Sequence, residues 1–460
     1  MPPEKVYAGP SLQRVLGLWS AVSIVVGTVI GSGVFLVPST MIRYVGSVRN
    51  LFIVWIVAGV LSLFGALTYA ELAAALPEAG GEYVYLTAAY GPFWGYLYGW
   101  TQFWVGKSGS IATLAAGFYT YLTAFFPVLG GSVLVLPLHI GPGGALLEIH
   151  YGQLVAIGLI LILAAVNYSG VRSGGGLQVL VTAIKMLLIA AIVVIGIFSG
   201  KGDFSHFAKT VPSARGIAGF FAAMVSALWA YDGWNNVSMV SSEIREPQRN
   251  LPRSLILGTA AVIATYLFIN VAYFYVLTPA QVASSHRVAA DMMSSLYGRA
   301  AAGALTIAVL ISIFAALNGS ILSGGRVPYA MARDGLFFRS AAVVHPVHRT
   351  PGNSMIMLCG WSCVVVLSGW YDDLYNFVIF GNWVLYLMTA LSVFVLRKKA
   401  PDLPRPYRVF GYPLVPVLFV GMAAFLLVST LQTRPRESVM GLVLMGLSVP
   451  FYFYWKNRNA

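Results

Sequence analysis

Runs of about 20 apolar residues recur along the chain, each closed by a short polar turn, and a run of that length crosses a bilayer core as a helix. About twelve such runs occur, beginning near Gly17, Leu51, Phe93, Tyr151, Gly176, Gly216, Ser254, Ala300, Ser354, Leu374, Tyr412 and Ser438. A helix satisfies its own backbone where no water reaches, and the polar–apolar alternation of a membrane β-barrel is absent. The pattern therefore predicts an all-α polytopic membrane protein. No long polar linker divides the runs, so residues 1–460 read as a single transmembrane domain. The largest insertion between runs, Pro127 to His150, is rich in Gly and Pro.

An internal correspondence refines this picture. Runs one and six are both interrupted at mid-depth by glycine and small polar residues, Val26-Gly27-Thr28-Val29-Ile30-Gly31-Ser32-Gly33 in one and Trp229-Ala230-Tyr231-Asp232-Gly233-Trp234-Asn235 in the other. After each interruption and the run that follows it come the similar endings Ala89-Tyr90-Gly91 and Leu296-Tyr297-Gly298, at spacings that agree within about seven residues. Runs one to five then align with six to ten, as repeats over about 17–200 and about 215–398, with two added helices over about 412–456.

Composition agrees with a lipid solvent. The chain is 58% hydrophobic and 9% charged, against roughly 25% charge in soluble domains. Its net charge of +13 would suggest nucleic acid in a soluble protein, but the basic residues sit in short loops between runs. With the first residues inside, about 17 Lys and Arg face the cytoplasm against about 9 outside, including Arg397-Lys398-Lys399 and the turn from Arg333 to Arg349. Both termini are thus expected in the cytoplasm, with the chain in the cell (inner) membrane. Met1 to Arg14 lacks a cleavage site after a short apolar core, and no removable signal peptide is expected. Cys359 and Cys363, four apart in one run, read as packing residues that form no structural disulfide.

Glycines 27, 31 and 33 would by themselves suit close helix packing. The Gly31-Ser32-Gly33 triplet instead weakens a helix on both sides of the serine and predicts a break. Unwinding frees N–H groups at the start of one half-helix and C=O groups at the end of the other. The N–H cluster suits a carboxylate and the carbonyls suit an ammonium, a pairing that a zwitterionic α-amino acid supplies. Three charges inside runs carry further weight, because charge at membrane depth is costly. Lys185 has no acidic neighbour in its own run; it would hold the carbonyls of unwound run one, or lose its proton and couple transport to protons. Asp232, in the second break, would meet a substrate cation or cap freed N–H groups. Lys107, between Gly106 and Ser108, reads as a structural ion pair or a gate. Trp229 is a lid or a packing residue, and Ala230 lies in the same break. Asn235, Asn318 and Asn382 either bond between helices or converge on one cavity. The six histidines fall in loops, and no metal cluster, phosphate loop or nucleophile–base arrangement is present, so neither a cofactor nor enzymatic chemistry is expected.

The two break sequences, with Tyr69-Ala70-Glu71-Leu72, Gly80-Gly81-Glu82-Tyr83, Arg249-Asn250-Leu251-Pro252 and Asn318-Gly319-Ser320, resemble the L-type amino acid transporters of the amino acid/polyamine/organocation superfamily over about Gly17 to Trp455. The resemblance implies a leucine-transporter-like five-plus-five inverted repeat with broken helices 1 and 6, alternating access and sodium-independent exchange. It places substrate carboxylate contacts on Gly31, Ser32 and Gly33, ammonium contacts on the carbonyls of Val29, Ile30 and Trp229, a gate at Trp229, and in Lys185 the stand-in for a sodium site. Animal members are often disulfide-linked to a glycoprotein through a cysteine in the second external loop. Pro127 to His150 has none, so a free-standing, prokaryotic-type member with no heavy chain is expected, with a monomer as its unit. Neutral amino acids are the expected substrates. A proton-coupled amino acid, cationic amino acid or polyamine permease is the alternative, and a channel or membrane sensor on the same fold a more distant one.

Overall fold

The structure, a computed structural model, describes residues 10–139, 146–213, 216–369, 371–433 and 435–458. Residues 1–9, most of the polar start, and residues 140–145 of the largest insertion lie outside the described residues.

The first span is two helices, α1 (Leu18–Val29) and α2 (Gly33–Val45), bent by 45° at their junction. Gly46 ends α2 with φ 71°, a conformation that suits a residue without Cβ. Ser47 then starts α3 (Val48–Ala75) by accepting the Asn50 N–H at 3.2 Å. A short α4 (Glu82–Tyr90) leads to α5 (Pro92–Thr101), which runs through a π-helical turn at Gln102–Gly106 into α6 (Lys107–Leu122).

The following insertion carries an antiparallel hairpin, β1 (Ser132–His139) with β2 (Leu146–His150). His150 also starts α7 (Tyr151–Tyr168): its N–H donates to Gln153 Oε1 at 2.7 Å. His139 and His150 therefore end strands rather than lie in loops, because the apolar stretch from Val133 pairs into a ladder that hydropathy windows sized for helices pass over.

Next come α8 (Val171–Phe198), α9 (Gly216–Ala230), a turn over residues 231–235 and the short α10 (Asn236–Met239). The long α11 (Pro247–Val276), with proline in its first turn, precedes two small helices, α12 (Pro279–Ser284) and α13 (Val288–Tyr297). Then follow α14 (Arg299–Gly324) with α15 (Arg326–Arg333), α16 (Gly352–Ser368), α17 (Tyr371–Lys399), α18 (Leu414–Thr433), α19 (Pro435–Gly446) and α20 (Ser448–Arg458). Cys359 and Cys363 on α16 are both free thiols.

Among the described residues, eight stretches are long and apolar enough to cross a membrane, and the bent α1–α2 pair makes a ninth. The third, sixth and ninth predicted spans fall on shorter or interrupted helices, α5–α6, α9–α10 and α16. Helices α8 and α11 start at Val171 and Pro247, ahead of the predicted Gly176 and Ser254. Their first two turns carry Arg172, Arg249 and Arg253, which a hydropathy criterion excludes but a helix accommodates.

In the core, α1 packs among α8, α11 and α14, while α2 packs on α9. Gly27 sets the first approach: a Cβ there would stand 2.0 Å from Gln178 Nε2 on α8. One end of the bundle is clasped shut. The N–H groups of Val15 and Leu16 each donate to Glu243 O at 2.9 Å, and the Arg245 N–H returns a bond to Leu16 O at 2.8 Å. The Glu243 carboxylate is forked by Arg326, Nε and Nη2 at 2.8 and 2.9 Å, with both side chains 0% exposed.

Removing one member of such a pair strands the other charge, a loss of about 3–5 kcal/mol. Glu243→Gln is therefore expected to lower the thermal midpoint of detergent-solubilised protein. Glu246→Gln, from the exposed pair with Arg249, should leave it nearly unmoved. Equal midpoints for the two variants would contradict the assignment.

Candidate functional site

A cavity of about 140 Å³ lies where the α1–α2 break meets the turn after α9. The breaks touch directly: Thr28 Oγ1 donates to Gly233 O at 3.0 Å. Gly233 adopts φ 109°, which the absence of a Cβ permits.

The donor side of the cavity is the first turn of α2. No described hydrogen bond takes up the N–H groups of Ser32, Gly33 or Val34, as the first turn of a helix requires. They sit at the positive end of the α2 dipole. Gly31, Ser32 and Gly33 all line the cavity, but the Gly31 N–H is turned away, donating to Val29 O at 2.9 Å. Of the three residues expected around a carboxylate, two offer open backbone donors.

The acceptor side departs from expectation. Ile30 O accepts Lys185 Nζ at 2.5 Å and Ser312 Oγ at 3.0 Å, and Ile30 is fully buried behind the cavity wall. Val29 O accepts the Gly31 N–H and the Tyr266 hydroxyl, the latter at 3.2 Å. A carbonyl oxygen has two lone pairs, so both carbonyls expected to hold an ammonium are already filled. This corrects the placement of Val29 and Ile30 as ammonium ligands. Trp229 O accepts the Asp232 N–H at 3.2 Å, and Thr28 O has no described donor. Thr28 O is thus an open backbone acceptor beside the breaks among the described contacts.

Lys185, 1% exposed, ends a polar stripe on one face of α8. Gln178 Nε2 and Thr182 Oγ1 each reach Ser23 O at 3.2 Å, and Lys185 Nζ reaches Gly27 O at 2.9 Å as well as Ile30 O. The spacing of four, then three residues keeps all three side chains on one helix face. Together they take up the carbonyls that α1 presents on its way into the break.

Of the other predicted residues, Asp232, Asn235, Ala230, Trp229 and Lys107 all line the cavity. Asp232 Oδ1 accepts the Tyr386 hydroxyl at 3.1 Å, and the Gly233 N–H after the break also acts on the carboxylate, while α10 itself starts without a side-chain cap. Lys107 Nζ donates to Asn236 Oδ1 and forms no ion pair among the described residues; the negative groups acting on it through space are Glu82 and Asp232. Asn235 donates its amide to Glu82 Oε1, which ties the second break to α4. Trp229 is 37% exposed, and its Cζ3 would lie 3.4 Å from a Cβ at Gly33.

The three asparagines separate. Asn235 and Asn382 line the cavity, whereas Asn318 lies outside its wall, accepting from Asn167 and donating to Gln178 at 2.8 and 2.7 Å. Gln102, which donates to Asn382 Oδ1 at 3.1 Å, and Tyr386 also line the cavity. Both escaped the sequence reading; the available signal was a lone glutamine inside an apolar run, five residues before Lys107.

Two interrupted helices that present opposite backbone polarity to one small cavity within an apolar bundle define a membrane carrier of the broken-helix class. The sequence profile described as amino acid permease matches residues 16–447, and the chain belongs to that family. It is 32% identical to the serine/threonine exchanger SteT of Bacillus subtilis (strain 168), over 98% of both chains. It is also 32% identical to the mouse (Mus musculus) b(0,+)-type amino acid transporter 1, over 96% of this chain and 88% of the relative. A third relative, the mouse large neutral amino acids transporter small subunit 2, is 32% identical over 98% of this chain and 83% of its own.

Proposed function

We propose that this protein exchanges neutral L-amino acids across the cell membrane, without sodium, by alternating access at the cavity between the two breaks. The observation that carries this reading is the pair of open, oppositely polarised backbone edges at the cavity: the N–H groups of Ser32 and Gly33 against the carbonyl of Thr28. The first would take the α-carboxylate and the second the α-ammonium, with the Trp229 carbonyl at the second break on the same side.

Lys185 supports the sodium-independent part. Its ammonium occupies the carbonyls of Gly27 and Ile30, oxygens of the kind that hard cations such as sodium seek. The clasp of Val15 and Leu16 on Glu243 closes one end of the bundle. The excess of Lys and Arg expected in the loops of that end supports a cytoplasmic side there. Cavity lining runs along α5–α6 from Gln102 to Gly117, roughly 20 Å of helix, away from the clasp. These features support a carrier closed to the cytoplasm, with Trp229, which lines the cavity, as its gate. The only cysteines are on α16, which supports a carrier that works without a disulfide-linked partner.

The test is uptake of radiolabelled alanine into proteoliposomes of purified protein in sodium-free buffer at equal pH. Vesicles preloaded with unlabelled amino acids should accumulate label, and empty ones should not. Uptake into empty vesicles driven by an inward proton gradient would replace exchange with proton coupling, through a Lys185 that gives up its proton.

A further inference from the structure

The cavity wall holds one cation and one carboxylate, Lys107 and Asp232, on opposite elements. They form no ion pair among the described contacts. Lys107 Nζ spends one donor on Asn236 Oδ1, and Asp232 accepts the Tyr386 hydroxyl through Oδ1 at 3.1 Å, with the Gly233 N–H also acting on it. An ammonium has three donors and a carboxylate about four acceptor sites, so each keeps hydrogen-bonding capacity toward the space between them. The neighbouring pair, Gln102 donating to Asn382 Oδ1 at 3.1 Å, extends the same polar wall. The two breaks would hold the α-carboxylate and α-ammonium of an amino acid, leaving this wall to face its side chain.

We propose that the wall formed by Lys107, Asp232, Gln102 and Asn382 is a side-chain subsite that selects a carboxamide, the group of asparagine and glutamine. This rests on the amino acid carrier reading above. A carboxamide carries an acceptor oxygen and a donor nitrogen on neighbouring atoms, so it serves the Lys107 and Asp232 poles together. A side-chain ammonium meets Lys107 as a like charge, and a side-chain carboxylate meets Asp232 as one. An alkyl or thioether side chain leaves both charges desolvated and unsatisfied. A hydroxyl puts donor and acceptor on a single atom and has less reach across two groups that stand too far apart to form an ion pair.

Binding to the purified full-length protein in detergent tests this, by displacement of radiolabelled alanine with alanine, glutamine, asparagine, serine, methionine, glutamate and lysine. Glutamine and methionine are similar in length and differ in polarity. The amides are expected to outcompete methionine, glutamate and lysine by roughly tenfold to a hundredfold, the worth of one hydrogen bond to a charged group. Asp232→Asn should narrow the gap between glutamine and glutamate, and Lys107→Met the gap between glutamine and lysine. Methionine or serine binding as tightly as the amides would overturn the subsite while leaving the carrier reading intact. So would variants that weaken every ligand alike. Absence of saturable alanine binding would overturn the carrier reading and the subsite with it. If either variant cannot be purified, the wild-type ranking alone decides.

Discussion

Lys185→Ala is expected to slow amino acid exchange by about tenfold to a hundredfold while the protein still inserts into the membrane, from the loss of charged hydrogen bonds worth about 1.5–3 kcal/mol each. Lys185 Nζ is bonded to Gly27 O and Ile30 O, and Gly27 O has no other side-chain donor among the described contacts. Without the ammonium, α1 loses the attachment that fixes where it ends, and the open N–H groups of Ser32 and Gly33 lose their alignment with Thr28 O and Trp229 O. The measurement is the initial rate of alanine counterflow, normalised to protein in the vesicles. Leu187→Ala, on the same helix but 71% exposed toward lipid, supplies the comparison. A Lys185→Ala rate equal to that of Leu187→Ala would remove the lysine from the mechanism.

Gly31→Leu is expected to abolish amino acid binding, by a hundredfold or more, in a protein that remains folded. A Cβ at Gly31 meets nothing within 4 Å, and the residue lines the cavity. Its φ is not in the left-handed range, so a leucine side chain is accepted by the backbone and grows into the space the substrate would fill. Gly27→Leu behaves in the opposite way. Its Cβ would collide with Gln178 Nε2 at 2.0 Å and Thr182 Oγ1 at 2.6 Å, so it should lower the thermal midpoint, since a tightly packed contact of that kind cannot absorb added atoms. Alanine binding by a folded Gly31→Leu variant would place the substrate elsewhere.

The contrast between these glycines shows how much could be read before the structure. Both belong to one short motif, and the Gly31-Ser32-Gly33 triplet announces a broken helix through local backbone chemistry alone. Which glycine borders a void and which meets a neighbouring helix depends on α8, more than a hundred residues away in the chain, and no local pattern reports it. The carbonyls of Val29 and Ile30 make the same point. Unwinding frees them, as expected, but Tyr266 from α11 and Ser312 from α14 fill them. Asn318 and Asn382 look alike as polar residues in apolar runs, yet the first bonds Asn167 and Gln178 while the second borders the cavity. The apolar runs were legible because bilayer thickness imposes their length. The hairpin β1–β2 was not, because its short strands lie between spans where that constraint does not act.

The central claim is that the backbone edges of the two breaks recognise both charges of an α-amino acid. The most direct measurement is competition for radiolabelled alanine binding to purified protein by two alanine analogues, L-alaninol, which lacks the carboxylate, and propionate, which lacks the ammonium. The account predicts that unlabelled alanine displaces the label and that each analogue is weaker by at least tenfold, because each leaves one set of edges at Ser32–Gly33 or at Thr28 and Trp229 without its charged partner. Displacement by either analogue as effective as that by alanine would contradict it.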